Sequence, residues 1–239
     1  MMNEIWALEQ YEQAKKDTMT LIVPCRTNGF TCLVSDCIGT ENRGNKKHYK
    51  YNKKLYRLMS TEKETYFCLT GNDSYTYAIT LYDRHLYENK KIFDPSNRNQ
   101  IEEIQEIFGY IKDYRIQQGY TVKNICRMFF VSMDKIVFYS IDKNLELSMK
   151  EELDDGCYIN PEIWCNPSYP IKENLENTDM VLNFCKNKIM EYEKYNIDLK
   201  DRFSYIIFDS KTNISVFESS IQNNKELVMT LIGDDYKKL

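Results

Sequence analysis

Glycine, proline, histidine and tryptophan are all scarce: the 239 residues hold eight, five, two and two of them. No Gly/Ser/Pro-rich linker divides the chain, and no repeat recurs along it. The length is enough for one large domain with its own core. No apolar run approaches the roughly 18 residues that a membrane-spanning helix needs. Residues 1–19 carry Glu4, Glu9, Glu12, Lys15, Lys16 and Asp17 and lack the apolar stretch of a signal peptide. None of the eight cysteines (Cys25, Cys32, Cys37, Cys68, Cys126, Cys157, Cys165, Cys185) stands in a Cys-x-x-Cys pair, and His48 and His85 are the only imidazoles. Structural zinc usually draws on closely paired ligands, so no metal or cofactor is expected. Most of the cysteines lie in apolar runs, where a free thiol behaves as a small hydrophobe; a reduced, cytoplasmic setting is expected. The net charge is −4, and the longest basic cluster is the short Asn45-Lys46-Lys47-His48. That excludes a phosphate-tracking surface, and no nucleic-acid or membrane partner is expected.

Large side chains are what the chain has in quantity. Nineteen tyrosines and eleven phenylalanines accompany 42% hydrophobic and 28% charged residues, an ordinary globular balance. Residues 3–16 have the spacing of a short helix, marginal on its own. From Thr20 the pattern turns to β type. Residues 20–26 (TLIVPCR) and 30–36 (FTCLVSD) flank Asn28-Gly29, a hairpin signal because both residues tolerate positive φ. Residues 39–50 are polar and read as a loop. Residues 54–59 and 65–70 form a second strand pair that stops at Gly71.

A helix capped by Asn72 or Asp73 is expected to run to about Glu88, with Tyr75, Ala78, Ile79, Tyr82 and Leu86 on one face. A second starts near Pro95 and Ser96 and ends near Gly119, on a stripe of Ile101, Ile104, Phe108 and Ile111. Two strands, 127–132 and 135–141, follow, joined through Met133-Asp134; residues 142–172 read as irregular. A third helix is expected from Glu173 to about Tyr195, with Val181, Phe184, Cys185, Ile189 and Tyr192 inward. A hairpin of 202–209 and 214–218 closes the chain. The order ββββ, αα, ββ, α, ββ lacks the βαβ rhythm of a parallel sheet; it predicts an α+β fold of two antiparallel sheets with helices outside.

The strings TLIV from Thr20, Asn28-Gly29 and LVSD ending at Asp36 resemble the opening hairpin of proteasome β-subunits and of the related bacterial peptidase that works with an unfoldase ring. The resemblance runs in order through Lys54 before Leu55-Tyr56, Gly71 at the end of the fourth strand, and Asp201-x-x-Ser204 after the third helix. It implies a four-layer αββα sandwich of the N-terminal-nucleophile hydrolase type. Residues 1–19 would be a leader and 20–239 the hydrolase domain. Thr20 would be the nucleophile, with its freed α-amine as base. Lys54 would lower the pKa of that amine and stabilise the alkoxide, and Asp36 would hold Lys54. Asp201 and Ser204 would bond the threonine, and the Gly71 N–H would face the developing oxyanion. The implied substrate is a polypeptide, and the implied assembly a ring of like subunits or a heteromer.

The chain also departs from that pattern. Met19 stands where self-processing members carry glycine, Ile38 replaces an arginine, and Tyr205 and Ile206 replace small glycines. Lys53 is an alternative to Lys54, and Thr18 a second hydroxyl, two residues too far from Asp36. A silent assembly subunit and a small-amide hydrolase therefore stand beside the peptidase as readings of the sequence.

Overall fold

The computed structural model describes residues 22–27, 29–36, 38–43, 46–51, 54–71, 74–119, 126–142, 144–153, 155–157, 175–192 and 203–219. Within these, twelve strands and three helices follow one another. The strands are β1 (Ile22–Thr27), β2 (Phe30–Asp36), β3 (Ile38–Arg43), β4 (Lys46–Tyr51), β5 (Leu55–Arg57), β6 (Tyr66–Gly71), β7 (Cys126–Val131), β8 (Ile136–Ile141), β9 (Leu147–Glu152), β10 (Gly156–Cys157), β11 (Phe203–Asp209) and β12 (Ile214–Ser219). The helices are α1 (Ser74–Glu88), α2 (Arg98–Gln117) and α3 (Thr178–Tyr192). One five-stranded sheet has the order β10-β1-β2-β11-β12 and a second the order β5-β6-β7-β8-β9. β3 and β4 form a separate two-stranded ladder, and every pairing is antiparallel. The expected α+β class with antiparallel sheets and helices is therefore present.

Period-two geometry sends alternate side chains to opposite faces of a strand. Here both faces are covered, which is why the central strands read as nearly continuous apolar runs rather than as alternation. On β7, Phe129 and Val131 join a cluster with Ile22, Leu33, Ile206 and Phe208 of the first sheet, while Met128 and Phe130 join Tyr75, Ile79, Tyr82, Ile101 and Phe108 of α1 and α2. On the first sheet, Val23, Cys25, Cys32, Val34 and Ile207 pack with Val181, Cys185 and Ile189 of α3. Three apolar interfaces result: two helices on one sheet, sheet on sheet, and the third helix on the other sheet.

α1 buries the expected stripe, and with it Asp83. The Asp83 carboxylate accepts from the Met59 and Ser60 backbone N–H groups at 2.8 and 2.9 Å and from the Ser60 hydroxyl at 2.5 Å, which fixes the connection between β5 and β6. α2 begins at Arg98, two to three residues later than expected. Asn97 caps it by accepting from Asn99 N–H at 3.1 Å, and Pro95 gives its carbonyl to the buried Tyr139 hydroxyl at 2.7 Å. α3 begins later than expected, after Asn177, whose side chain accepts from Met180 N–H at 3.0 Å. Two stretches read as irregular are strands. Residues 38–43 and 46–51 form the β3–β4 ladder, and 147–152 with 156–157 form edge strands. Polar composition hid both, because a separate ladder or an edge strand needs only backbone pairing and tolerates polar side chains. The expected helix over 3–16 lies outside the described residues.

Four of the cysteines converge where α3 covers the first sheet. Cys25 lies beside Cys157 on one side and Cys32 on the other in the strand register. Its thiol hydrogen-bonds with those of Cys157 and Cys185, and Cys185 also reaches Cys32. Those bonds, with burial, push the Cys25 thiol well up, and burial pushes Cys32 up. All six described cysteines are free and buried. Raised thiol pKa values leave little thiolate at neutral pH, the state of inert structural cysteines.

Candidate active site

The local chemistry of β2 ends in an acid: FTCLVSD is buried throughout, and Asp36 closes it at 5% exposure. An isolated carboxylate there would be costly. Its partner comes from the other sheet. Lys54, the residue before β5, donates from Nζ to Asp36 Oδ1 at 2.6 Å, with 9% and 7% of the two side chains exposed. Lys54 is thus the lysine that meets Asp36, and Lys53 lies outside the described residues.

Antiparallel pairing fixes what else shares that end. Ile22, the first residue of β1, lies opposite Ser35, and Ser204 lies opposite Ser35 on the other side. The starts of β1 and β11 therefore flank the end of β2. In the second sheet Leu55 lies opposite Cys68, so β5 starts beside the middle of β6, and Gly71 ends β6 three residues further in that direction. The Lys54–Asp36 ion pair joins these two sheet ends. Gly71 is exposed with φ +102°, a region that side chains other than glycine's enter only with strain.

Of the six residues singled out from the sequence, the structure brings Asp36 and Lys54 into contact. It puts Ser204 one strand away from Asp36 and buried, and Gly71 at the same end of the facing sheet. Thr20 and Asp201 lie outside the described residues, as do Met19 and Thr18. Sequence reasoning passed over Ser35, which is fully buried between Ile22 and Ser204. Its only signal is a serine interrupting the apolar run LVSD. Among the described residues no group of three or more His, Cys, Asp or Glu is arranged to hold a metal ion, and no helix is long and apolar enough to cross a membrane.

No family model and no curated protein matches the chain. Solved structures do. An Anbu mutant from Hyphomicrobium sp. superposes with TM-score 0.51 at 12% identity, covering 92% of this chain and 95% of that one. Anbu from Yersinia bercovieri, described as an ancestral beta-subunit, gives the same score, identity and coverages. A helical assembly of the Anbu complex from Pseudomonas aeruginosa gives 0.51 at 10% identity, over 93% and 97%. At such identities the likeness is one of fold. It corrects the family reading taken from the sequence: no proteasome β-subunit model claims the chain, and these three solved structures are Anbu chains. The short strings that carried the resemblance are too few to define membership.

Proposed function

We propose that the chain is an amide hydrolase acting on polypeptides through Thr20, once residues 1–19 have been removed from the domain 20–239. The observation that carries this reading is the buried 2.6 Å ion pair at the sheet ends where β1 begins. Thr20 precedes Ile22 by two residues, and two residues of chain span at most about 7 Å. That short distance along the chain supports Thr20 as the nucleophile of this reading.

In this reading the three apolar interfaces are those of a four-layer αββα sandwich of the N-terminal-nucleophile type. The freed Thr20 amine takes the proton of the Thr20 hydroxyl, whose oxygen attacks the scissile carbonyl; as the C–N bond breaks, the same proton passes to the leaving amine and an acyl-enzyme remains. Lys54 lowers the pKa of the amine and stabilises the alkoxide, and Asp36 holds Lys54 charged and in place. The Gly71 N–H meets the developing oxyanion. Ser204 and Asp201 bond the threonine backbone and amine, and water then releases the acyl group. The free buried cysteines favour a reducing, cytoplasmic setting, and the helical assembly of the Pseudomonas Anbu complex favours self-association of this chain.

Turnover of fluorogenic peptides is the test. Wild type hydrolyses them and Thr20→Ala does not, with at least a hundredfold difference expected for loss of the nucleophile, on the order of the effects seen when nucleophiles are removed. Equal rates in the two proteins, or none in either, overturn the assignment. Met19, beside the cleavage point, favours a second reading: a subunit that keeps its leader and serves in assembly. Oligomers that retain residues 1–19 and hydrolyse nothing are its signature.

A further inference from the structure

Side-chain parity on β2 poses a problem that the strand itself must solve. Thr31, Leu33 and Ser35 share one face: Leu33 belongs to the layer between the sheets, and the Thr31 hydroxyl donates across that layer to the Met133 carbonyl at 2.7 Å. Cys32 and Val34 face the other way, toward α3. Alternation alone sends Asp36 to the α3 side, with Cys32 and Val34. Its carboxylate is nevertheless 2.6 Å from Lys54, which begins the facing sheet. The carboxylate and the ammonium therefore meet around the end of β2, where Asp36 is still paired with Phe203 of β11.

The group placed to hold that strand end is the Ser35 hydroxyl. Ser35 is fully buried, and its Oγ donates to the Asp36 backbone carbonyl at 2.8 Å. The bond is local, between adjacent residues, and competes with regular strand geometry, as serine hydroxyls do when they bond neighbouring backbone. Ser35 also lies between Ile22 and Ser204 in the register, so it is packed on both sides by the strands that bring the start of β1 and Ser204 to this end. An alanine fits the same space but leaves the Asp36 carbonyl without this donor.

We propose that Ser35 is a positioning residue of the site: its hydroxyl, bonded to the Asp36 carbonyl, sets the strand end so that the Asp36 carboxylate meets Lys54. The inference rests on the proposed function only for the use made of the ion pair. Its test needs neither leader removal nor turnover.

A lysine ammonium held in a buried ion pair exchanges its protons slowly enough to give a ¹H–¹⁵N signal at neutral pH, whereas solvated lysines give none. In the full-length, ¹⁵N-labelled protein one such signal is expected and is assigned by its disappearance in Lys54→Arg. It is lost in Ser35→Ala and in Ser35→Cys, which is nearly isosteric and only a weak donor, and it is retained in Ser35→Thr, which keeps the hydroxyl. Near-UV circular dichroism establishes that each variant is folded. Persistence of the signal in folded Ser35→Ala, its absence in wild type, or its absence in folded Ser35→Thr overturns the role. Loss of tertiary structure in all three Ser35 variants makes Ser35 a core residue only, and overturns it as well. Failure of peptide hydrolysis leaves this result untouched, and an unchanged ammonium signal leaves the hydrolysis result untouched, so the two ideas fail separately.

Discussion

Lys54→Met lowers the stability of the protein by about 3–5 kcal/mol, the usual cost of removing one partner of a buried ion pair. The reason lies in what remains. Asp36 is 5% exposed at the end of β2, and Lys54 Nζ is its cationic partner at 2.6 Å. Without Lys54 the carboxylate keeps its burial and loses its ion-pair partner. In a domain of this size each kcal/mol moves the melting temperature by about 2–4 °C, so a drop of roughly 6–20 °C is expected by calorimetry. The double variant Lys54→Met/Asp36→Leu recovers most of that loss, because a buried ion pair replaced by apolar groups of similar volume is often neutral. A double-mutant cycle measures the coupling directly. Lys63→Met is the control: the Lys63–Asp134 pair has a similar distance, 2.9 Å, but its side chains are 65% and 51% exposed, so its removal barely moves the transition. Equal effects at Lys54 and Lys63 would mean that the sheet ends are open to water.

Phe129→Ala costs a comparable 3–5 kcal/mol, for a different reason: it opens a cavity between the sheets. Phe129 is fully buried and stacks obliquely on Phe138 with ring centroids 4.9 Å apart, in the cluster that also holds Leu33, Ile206 and Phe208 of the facing sheet. The surrounding strands are tied by backbone pairing on both sides and cannot collapse fully into the space. Equilibrium urea unfolding measures the loss. Tyr110→Ala, at a position 77% exposed on α2, is expected to stay within about 0.5 kcal/mol of wild type. The Phe129 effect reports on the spacing of the two sheets, and hence on the distance that Lys54 spans to reach Asp36.

The strands that build this layer were readable because their buried faces demanded it. FTCLVSD, CRMFFV and IVFYSI are apolar on both parities, and the turn before Phe30 carries Gly29 at φ +101°, the conformation that its Asn-Gly motif signals. The helices were readable from their 3.6-residue stripes, and only their starts moved, because Asn97 and Asn177 were not recognised as the caps. The β3–β4 ladder and the edge strands β9 and β10 were not readable. Their pairing is made by backbone groups, and their sequences carry no sustained apolar alternation to mark it.

The ion pair was legible in a different way. Nothing local in LVSD or KKLY says that Asp36 and Lys54 meet; the order of distant residues suggested it, and the contact between the sheet ends realises it. Ser35 was illegible because its role rests on a local bond that no sequence pattern marks. Only the donation from its hydroxyl to the Asp36 carbonyl, at the strand end that carries the ion pair, singles it out. The family resemblance, by contrast, reached too far: no family model supports the membership it implied.

The most direct measurement is the intact mass of purified full-length protein beside Thr20→Ala. Wild type is expected to lose residues 1–19, leaving Thr20 as the first residue, and Thr20→Ala to keep every residue. A wild-type chain that retains its first nineteen residues, or a Thr20→Ala chain cut at the same bond, contradicts the assignment of Thr20 as a self-exposing nucleophile beside the Lys54–Asp36 pair.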